Sequence, residues 1–276
     1  MFHVIEKNQY EMFTMKEDVD LTVILPVFNE FDILIDSVKT IKKILDETDY
    51  KYEIIIAEDG STDGTDKIAK GLSERHKDVI WLHSDKRLGR GRAVSNAIKK
   101  STGTIVGFID TDLEISPKYI PIIAKKIRNG YDIVTGRRYY LMDTRRPLKW
   151  ITRFLLSKMY IFLTRILLNV SLNDTETGYK FFNRNRILKI LDEIEDNHWF
   201  WDTEIMVRSY YSGLKIKEVP VIFIKNWEHA SKVYLVKDTV DYFIKLLKFR
   251  SKIHKRYKFE IKTQLGRQCG KKSTSL

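Results

Sequence analysis

The sequence predicts an α/β fold in which a mostly parallel sheet is covered by helices on both faces. Short, almost wholly apolar runs recur along the first half of the chain, stretches with helical spacing separate them, and turn residues lie at the junctions. Strands whose interiors are almost entirely apolar must be buried on both sides. That arrangement is typical of a parallel sheet flanked by helices.

The first five strands are predicted at Leu21 to Val27, Tyr52 to Ala57, Val79 to His83, Thr104 to Ile109 and Asp132 to Thr135. The stretches between them predict helices, as where apolar residues recur at helical spacing from Ile33 to Leu45. We expect another helix to begin near Ala93, directly after Gly89-Arg90-Gly91-Arg92. Glycines before a helix N-terminus let a phosphate approach closely, although a plain loop explains this short motif equally well.

The pattern changes after about residue 140. Residues 145–172 predict an amphipathic helical segment with many large apolar side chains. The later elements are predicted as a strand at Tyr179 to Phe182, a helix near Trp201 to Ser212, a strand near Ile216 to Ile224 and a basic helix from about Leu235. We therefore divide the chain into an N-terminal extension (1–20), a main domain (21–235) and a basic C-terminal helix with its tail (236–276).

The composition limits the partners and the compartment. The 276 residues carry a formal net charge of +12, which favours anionic partners such as nucleic acid, lipid headgroups or phosphorylated substrates. Cys269 is the single cysteine, which excludes an internal disulfide and fits a reducing compartment. Residues 1–20 lack the apolar core of a signal peptide, and the nearest candidate for a spanning helix, 154–172, is interrupted by Lys158 and Arg165. We expect a cytoplasmic protein that lies peripherally on a membrane.

Acidic residues follow three of the predicted strands. Glu30 follows the first, Asp59 ends the second, and Asp110 and Asp112 follow the fourth. Ligands bind at the carboxyl ends of parallel strands, and carboxylates crowded there would repel one another unless a cation were bound. Two carboxylates at i and i+2, with diphosphate oxygens completing the shell, suit a hard divalent ion. The alternative is a solvated loop or a helix cap ahead of Ser116.

Seven segments of the chain resemble one enzyme family. In chain order they are LTVILPVFNE, IIIAEDGSTDGT, LGRGRAVSNAI, GFIDTDLEISP, IVTGRR, DTETGYKFFNR and ASK at Ala230 to Lys232. They are similar to motifs of the family 2 glycosyltransferases with the GT-A fold, especially the dolichyl- and polyprenyl-phosphate sugar synthases. The resemblance implies a Rossmann-like GT-A sheet. It also implies an inverting transfer of a hexose from a nucleotide-diphosphate sugar, UDP-glucose-like or GDP-mannose, to a polyprenyl or dolichyl phosphate at the membrane surface.

The resemblance also implies roles for individual residues. The base and ribose of the sugar donor would be held by Pro26, Phe28, Glu30 and Asp59. The metal, Mg²⁺ or Mn²⁺, would be bound by Asp110, Asp112 and Glu114, with Thr111 contacting the substrate. Relatives often carry Gln at the position of Glu114, which weakens its assignment. The diphosphate or the acceptor phosphate would be contacted by Arg137 and Lys232, and we assign both, together with Asp112, to catalysis.

The acceptor determines whether catalysis needs a base. A sugar hydroxyl must lose a proton to a positioned carboxylate, whereas a lipid phosphate is already ionised and needs cations to orient it. The sequence favours the phosphate, because cations follow the acidic motif at Arg137, Arg138, Arg145, Arg146, Arg153 and Lys180. We expect Lys180 to bind substrate. For a hydroxyl acceptor, Asp202 and Glu204 are the base candidates, and a helix start is their alternative explanation.

Three hypotheses about function remain open at this point. Residues 145–172 place Trp150 and aliphatic residues among Lys and Arg, which is typical of an interfacial helix, although a core helix or a dimer interface shows the same pattern. The first hypothesis is therefore the polyprenyl-phosphate enzyme. The second is a family 2 glycosyltransferase acting on a saccharide or another hydroxyl. The third, a nucleic-acid-binding protein, lacks a zinc, RNP or helix-turn-helix signature, so we expect no nucleic-acid partner.

Overall fold

The computed structural model describes residues 19–141, 147–225 and 235–257. Almost all of the predicted N-terminal extension, the tail beyond residue 257, Arg145, Arg146 and Lys232 fall outside these ranges. The roles predicted for them are therefore not addressed by the structure.

Seven strands form one sheet. They are β1 (Leu21–Val27), β2 (Tyr52–Glu58), β3 (Val79–His83), β4 (Ile105–Ile109), β5 (Ile133–Tyr140), β6 (Tyr179–Asn183) and β7 (Ile216–Phe223). Their order across the sheet is β3-β2-β1-β4-β6-β5-β7. Of these seven, β6 alone runs antiparallel to its neighbours, β4 and β5. The predicted mostly parallel α/β sheet is confirmed.

Eight α-helices lie within the described ranges. They are α1 (Leu34–Leu45), α2 (Thr65–Arg75), α3 (Arg90–Lys100), α4 (Ile120–Arg128), α5 (Pro147–Leu168), α6 (Arg184–Leu191), α7 (Trp201–Tyr211) and α8 (Leu235–Arg256). A single 3-10 turn, Pro117–Tyr119, precedes α4. Helix α3 begins three residues before the predicted start near Ala93.

Two apolar clusters hold the helices to the sheet, one on each face. Val23 and Leu25 of β1 belong to the cluster that buries α1, α2 and α4, whereas Ile24 belongs to the cluster that buries α3, α6 and α7. All three side chains are fully buried. Successive side chains of a strand point to opposite faces, so a strand buried on both sides must be apolar at every position. This explains why the sequence pattern identified these strands.

Strand β5 is longer than its apolar run. We predicted its end at Thr135, but its parallel pairing with β7 continues to Tyr140 opposite Phe223. Arg137 and Arg138 therefore lie inside the strand, which corrects their predicted position after it. The extension carries polar side chains because Arg137 and Tyr139 are exposed on one side of the strand.

Helix α5 is shorter than the predicted segment 145–172. It ends at Leu168 because Asn169 adopts a left-handed backbone conformation, with φ of 49°, which terminates an α-helix. Leu163 and Leu167 pack against the core, whereas other large apolar residues of the helix are exposed. The helix is therefore apolar on more than one side, unlike a simple amphipathic helix. None of the helices within the described ranges has the length and apolarity needed to cross a bilayer.

The C-terminal helix α8 begins at Leu235, as predicted. Leu246, Phe249 and Ile253 are buried in the same cluster as α7, so this part of the C-terminal segment shares the core of the main domain. Three ion pairs fasten α8 to the connection between α6 and α7: Lys245–Asp196, Lys252–Glu195 and Arg256–Glu193.

Two glycines should respond to alanine in opposite directions. A Cβ atom on Gly107 of β4 would lie 2.1 Å from the ring of Phe181 on β6, so Gly107→Ala should lower the free energy of unfolding by about 1–3 kcal/mol. A Cβ on Gly71 of α2 would lie 3.6 Å from its nearest side-chain atom, so it fits without a clash. Gly71→Ala should therefore raise the free energy of unfolding by about 0.5–1 kcal/mol. Urea denaturation measures both. An unchanged stability for Gly107→Ala would contradict the tight contact between β4 and β6.

Candidate active site

A cavity of about 290 Å³ lies at the carboxyl ends of β1, β2 and β4. These strands are parallel, so the residues that follow them meet at one edge of the sheet. The predicted site residues that line the cavity are Pro26, Phe28, Glu30, Asp59, Asp110, Thr111, Asp112 and Glu114. The structure thus brings together every described residue predicted to hold the sugar donor's nucleoside or the metal.

The part of the cavity next to β1 and β2 carries an aromatic ring stacked on a guanidinium group. The guanidinium carbon of Arg87 lies 3.8 Å from the centre of the Phe28 ring, so the two side chains stack. Asp59 is buried and accepts hydrogen bonds from the backbone N–H groups of Leu88 and Gly89, at 2.7 and 2.9 Å. Asp59 therefore fixes the connection to α3, in addition to lining the cavity.

Gly89 explains why that connection is glycine-rich. Its φ is +104°, and a Cβ atom there would lie 2.3 Å from the backbone oxygen of Asn197. Residues with a side chain rarely adopt this backbone conformation, and no side chain would fit in this space. The predicted glycine motif is thus used for close packing ahead of α3.

Asp110 is held at the end of β4 by Arg90, the first residue of α3. The Nη2 and Nε atoms of Arg90 donate to Asp110 Oδ1, at 2.6 and 3.2 Å. Gly178, which precedes β6, lies against the same carboxylate, because a Cβ there would be 1.7 Å from Asp110 Oδ2. The side chain of Asp110 is nevertheless 45% exposed, so its carboxylate remains accessible from the cavity.

Thr111 connects the acidic loop to its surroundings. Its hydroxyl donates to the backbone oxygen of Pro26 at 3.0 Å, and the hydroxyl of Ser37 donates to the backbone oxygen of Thr111 at 2.6 Å. The predicted substrate-binding hydroxyl is therefore already engaged by β1. Because Thr111 lies between Asp110 and Asp112, these contacts also fix the positions of the two carboxylates relative to each other.

Asp112 carries the strongest sign of carboxylate crowding in this loop. Burial, together with the negative charges of Asp110 and Glu114, raises the pKa of its carboxyl to about 7. Glu114 is paired with Lys225, and its backbone N–H donates to Asp112 Oδ1 at 3.3 Å. Like-charge repulsion of this kind is what a bound cation relieves.

The oxygen ligands at this site suit a hard divalent ion, but they do not form a complete cage. Across the described ranges, no three Asp, Glu, His or Cys side chains are grouped as a ready metal site. Asp110 and Asp112 can hold Mg²⁺ or Mn²⁺ if water or diphosphate oxygens supply the remaining ligands. Because Glu114 is paired with Lys225, its predicted role as a ligand is the weakest of the three.

Arg138, and not Arg137, reaches the cavity. Arg138 donates to Asp174 through its backbone N–H, its Nε and its Nη2, at 3.1, 2.7 and 2.9 Å, and its Nη2 lies 3.6 Å from Glu176 Oε2. Arg137 is exposed and lines a different cavity. Neighbouring residues of a strand point to opposite faces, so only one of the two arginines can face the site.

Glu176 is a cavity residue that our sequence predictions missed. Burial is the main reason why the pKa of its carboxyl is raised to about 7; Asp174 and Asp202 add to the rise, and Arg138 and Lys180 oppose it. It lies in the segment DTETGYKFFNR, two residues before the glycine that contacts Asp110. Its position in this motif, just before the strand predicted from Tyr179, was the sequence feature that could have identified it.

The structure does not bring Lys180, Asp202 or Glu204 to the cavity wall. Lys180 is fully buried and donates to Asp202 Oδ1 at 2.7 Å, while Arg90 Nη1 donates to Asp202 Oδ2 at 2.6 Å. Lys180 and Asp202 therefore neutralise each other beneath the site, instead of binding substrate or acting as a base.

Glu204 is buried in a separate network. Its Oε1 accepts from Arg208 Nε and Nη2, at 2.8 and 2.6 Å, and its Oε2 accepts from the backbone N–H groups of Glu195 and Asp196. All of these contacts fix the start of α7 and the connection before it. The geometry gives Glu204 a structural role and does not support our prediction of a catalytic base.

Comparison with known proteins places this geometry in context. Residues 22–191 match the family described as Glycosyl transferase family 2. The glycosyltransferase AglD of Haloferax volcanii is 36% identical over 228 residues, which are 80% of this chain and 35% of AglD. The dolichyl-phosphate beta-glucosyltransferase of Dictyostelium discoideum is 27% identical over 246 residues, 81% of this chain and 74% of that protein. The chain thus spans about a third of AglD and about three quarters of the Dictyostelium protein.

Solved structures share the fold at low sequence identity. Glucosyl-3-phosphoglycerate synthase from Mycobacterium tuberculosis, crystallised with Mn²⁺, UDP and glucosyl-3-phosphoglycerate, superposes with a TM-score of 0.59 at 20% identity. The match covers 87% of this chain and 83% of that one. The same enzyme crystallised with UDP gives a TM-score of 0.62 at 19% identity, covering 88% and 84% of the two chains.

The raised pKa of Glu176 predicts a pH-dependent stability difference. Ionised Glu176 is disfavoured in the folded chain, so its ionisation lowers the free energy of unfolding. This loss of stability is absent below the usual pKa of 4.5 and complete above about 7. Glu176→Gln removes this cost and should therefore stabilise the protein by about 1–3 kcal/mol more at pH 8 than at pH 5. Urea denaturation at the two pH values measures the difference. Glu47→Gln, at an exposed position, is the control. A difference between the two pH values that is no larger for Glu176→Gln than for Glu47→Gln would contradict the raised pKa.

Proposed function

The chain belongs to glycosyl transferase family 2, and from that premise we propose that it transfers a hexose from a nucleotide-diphosphate sugar to a polyprenyl phosphate at a membrane surface. The observation that carries this proposal is that one cavity is lined by both carboxylates and cations. Its carboxylates include Asp110 and Asp112, and its cations are Arg87, Arg90, Arg138 and Lys225. A cavity lined by both signs of charge suits a substrate pair that brings both a cation and several phosphate groups.

The nucleotide half of the sugar donor would occupy the wall built by β1 and β2. Phe28 and Arg87 offer a stacked ring and guanidinium for the base, and Glu30 lies near enough to line the same wall. We favour a UDP-glucose-like donor over GDP-mannose, because the Dictyostelium relative is named a dolichyl-phosphate beta-glucosyltransferase.

The diphosphate would lie at Asp110 and Asp112. A divalent cation bound there, Mg²⁺ or Mn²⁺, would neutralise the charge that develops on the departing nucleoside diphosphate. A phosphate oxygen of the acceptor forms the new bond to the anomeric carbon as the bond to the diphosphate breaks, and the configuration inverts. Arg90 and Arg138 line the cavity and would orient these phosphate groups.

A phosphate acceptor fits the state of the carboxylates. Such an acceptor is already ionised and needs no base, and the two carboxylates that we predicted as bases are both engaged elsewhere. Asp202 is bound between Lys180 and Arg90, and Glu204 is bound by Arg208. Neither is free to take a proton from a hydroxyl.

A membrane location is supported by the outer side of α5. Its exposed large apolar side chains recur every three or four residues, at Leu148, Ile151, Leu155, Met159, Phe162 and Ile166. This spacing places them on one face of the helix, and we name this face the α5 stripe. We propose that the stripe lies on the cytoplasmic face of a membrane and that the protein is bound there peripherally.

A second acceptor class is favoured by Glu176 alone. It is a cavity carboxylate whose pKa of about 7 is typical of a general base, and a saccharide hydroxyl would need one. This alternative is a family 2 glycosyltransferase acting on a hydroxyl acceptor. Transfer would then rise with pH through about 7, and Glu176→Gln would abolish it.

The acceptor hypotheses differ in their products. With radiolabelled UDP-glucose and a polyprenyl phosphate in detergent, we expect a lipid-extractable, acid-labile labelled product. Glu176→Gln should retain most of this transfer, because a phosphate acceptor has no proton to give up. Parallel reactions with GDP-mannose and with saccharides test the alternatives. Absence of the lipid product, or label found only in saccharide, would overturn the phosphate acceptor.

The acidic pair should be essential for turnover. Asp112→Ala should lower kcat/KM by about a hundredfold or more, because charge on the leaving diphosphate loses its stabilisation. Asp192→Ala is the matched control, since Asp192 is an exposed carboxylate whose ion pair with Lys99 lies on the surface. Chelation should stop transfer by the native protein, and Mg²⁺ or Mn²⁺ should restore it. Full turnover by a correctly folded Asp112→Ala variant would remove the metal assignment.

A further inference from the structure

We propose that a second cavity, between β5 and α5, binds the phosphate headgroup of an anionic bilayer lipid. This inference deepens the proposed membrane location, on which it rests, by naming the lipid class and the residues that would hold it. The cavity has a volume of about 520 Å³, and we name it the basic cleft. Its cations are Arg137, Arg138, Lys158 and Arg165, of which Arg138 also lines the first cavity.

Three of the four cations of the basic cleft have no acidic partner among the described residues. Among the described residues, none of Arg137, Lys158 and Arg165 forms an ion pair; the contacts of Arg137 and Lys158 are with the faces of nearby aromatic rings. The carboxylate of Asp174 also lines the cleft, but Arg138 neutralises it through two side-chain hydrogen bonds. The cleft therefore keeps a charge of about three positive units, which attracts an anion.

The rest of the cleft wall is apolar. Ile161, Phe162 and Ile166 line it, and Phe162 and Ile166 also belong to the exposed α5 stripe, at 61% and 60% exposure. The cations lie next to an apolar surface, and in a lipid the phosphate lies next to the hydrocarbon chains. The cleft and the stripe can therefore contact both parts of one lipid molecule. A free phosphate or a nucleic acid would use the cations and leave the stripe in water.

A second copy of the chain fits this face less well. In a two-fold dimer the same surface meets itself, so Lys158 and Arg165 of one copy would approach the same cations of the other. The stripe would be covered, but the unpaired charges would face like charges. An anionic bilayer covers the stripe and neutralises the cations together.

The test uses the full chain and vesicles of two compositions. Flotation should show binding to an equal mixture of phosphatidylcholine and phosphatidylglycerol, and much weaker binding to phosphatidylcholine alone. Each suitably placed Lys or Arg strengthens binding about fivefold, so Lys158→Gln with Arg165→Gln should weaken binding to the mixture about twentyfold or more. The matched control is Lys43→Gln with Lys70→Gln. Both of these lysines are exposed, and their helices, α1 and α2, pack on the opposite face of the sheet.

Four results would overturn the proposal. The first two are equal binding to the two vesicle types and an equal loss of vesicle binding in the cleft variant and the control variant. The third is release of the protein from the mixed vesicles by inorganic phosphate at millimolar concentration. The fourth is a dimeric protein that does not bind vesicles. Transfer to polyprenyl phosphate in detergent tests the proposed function separately. There the cleft variant should keep its activity, so a failure of the enzymatic proposal and a failure of the lipid site give different patterns.

Discussion

The site depends on one buried cation, Arg90. Its guanidinium binds Asp110 at the end of β4 and Asp202 in α7, and Asp202 in turn binds Lys180 of β6. Two strands and two helices are thereby joined directly beneath the cavity. Removing one partner of such a buried network costs about 3–5 kcal/mol, because a charge remains without compensation. The network explains why acidic residues that resemble catalytic groups in the sequence are structural in the fold.

Two carboxyl groups of the cavity have raised pKa values. Asp112 is buried beside Asp110 and Glu114, and its pKa is raised to about 7. Glu176 is raised similarly on the other side of the cavity. A bound cation or a bound proton stabilises carboxylates whose pKa values are raised in this way. The cavity therefore favours binding of a cation.

The sequence predicted the sheet well because burial on both faces imposes apolar runs that can be recognised without a structure. It failed where a strand is only partly covered: β5 continues through Arg137 and Arg138, and the pattern could not show which arginine faces inward. It also could not distinguish Glu204, which is bound by Arg208, from an accessible carboxylate, since the two differ only in long-range contacts. Glu176 was missed because its importance comes from where β6 begins, which depends on the order of strands in the sheet.

The single antiparallel strand has a consequence for how such a fold can diversify. The parallel strands end at the edge of the cavity, whereas β6 begins there. The connection from α5, which carries Asp174, Glu176 and Gly178, therefore lies at the same edge. The two halves of the cavity therefore come from separate stretches of chain. Changes between α5 and β6 would therefore reshape one side of the cavity, while β1, β2 and β4 stay as they are. Residues 169–178 are thus one continuous segment through which that side of the cavity can vary independently of the other.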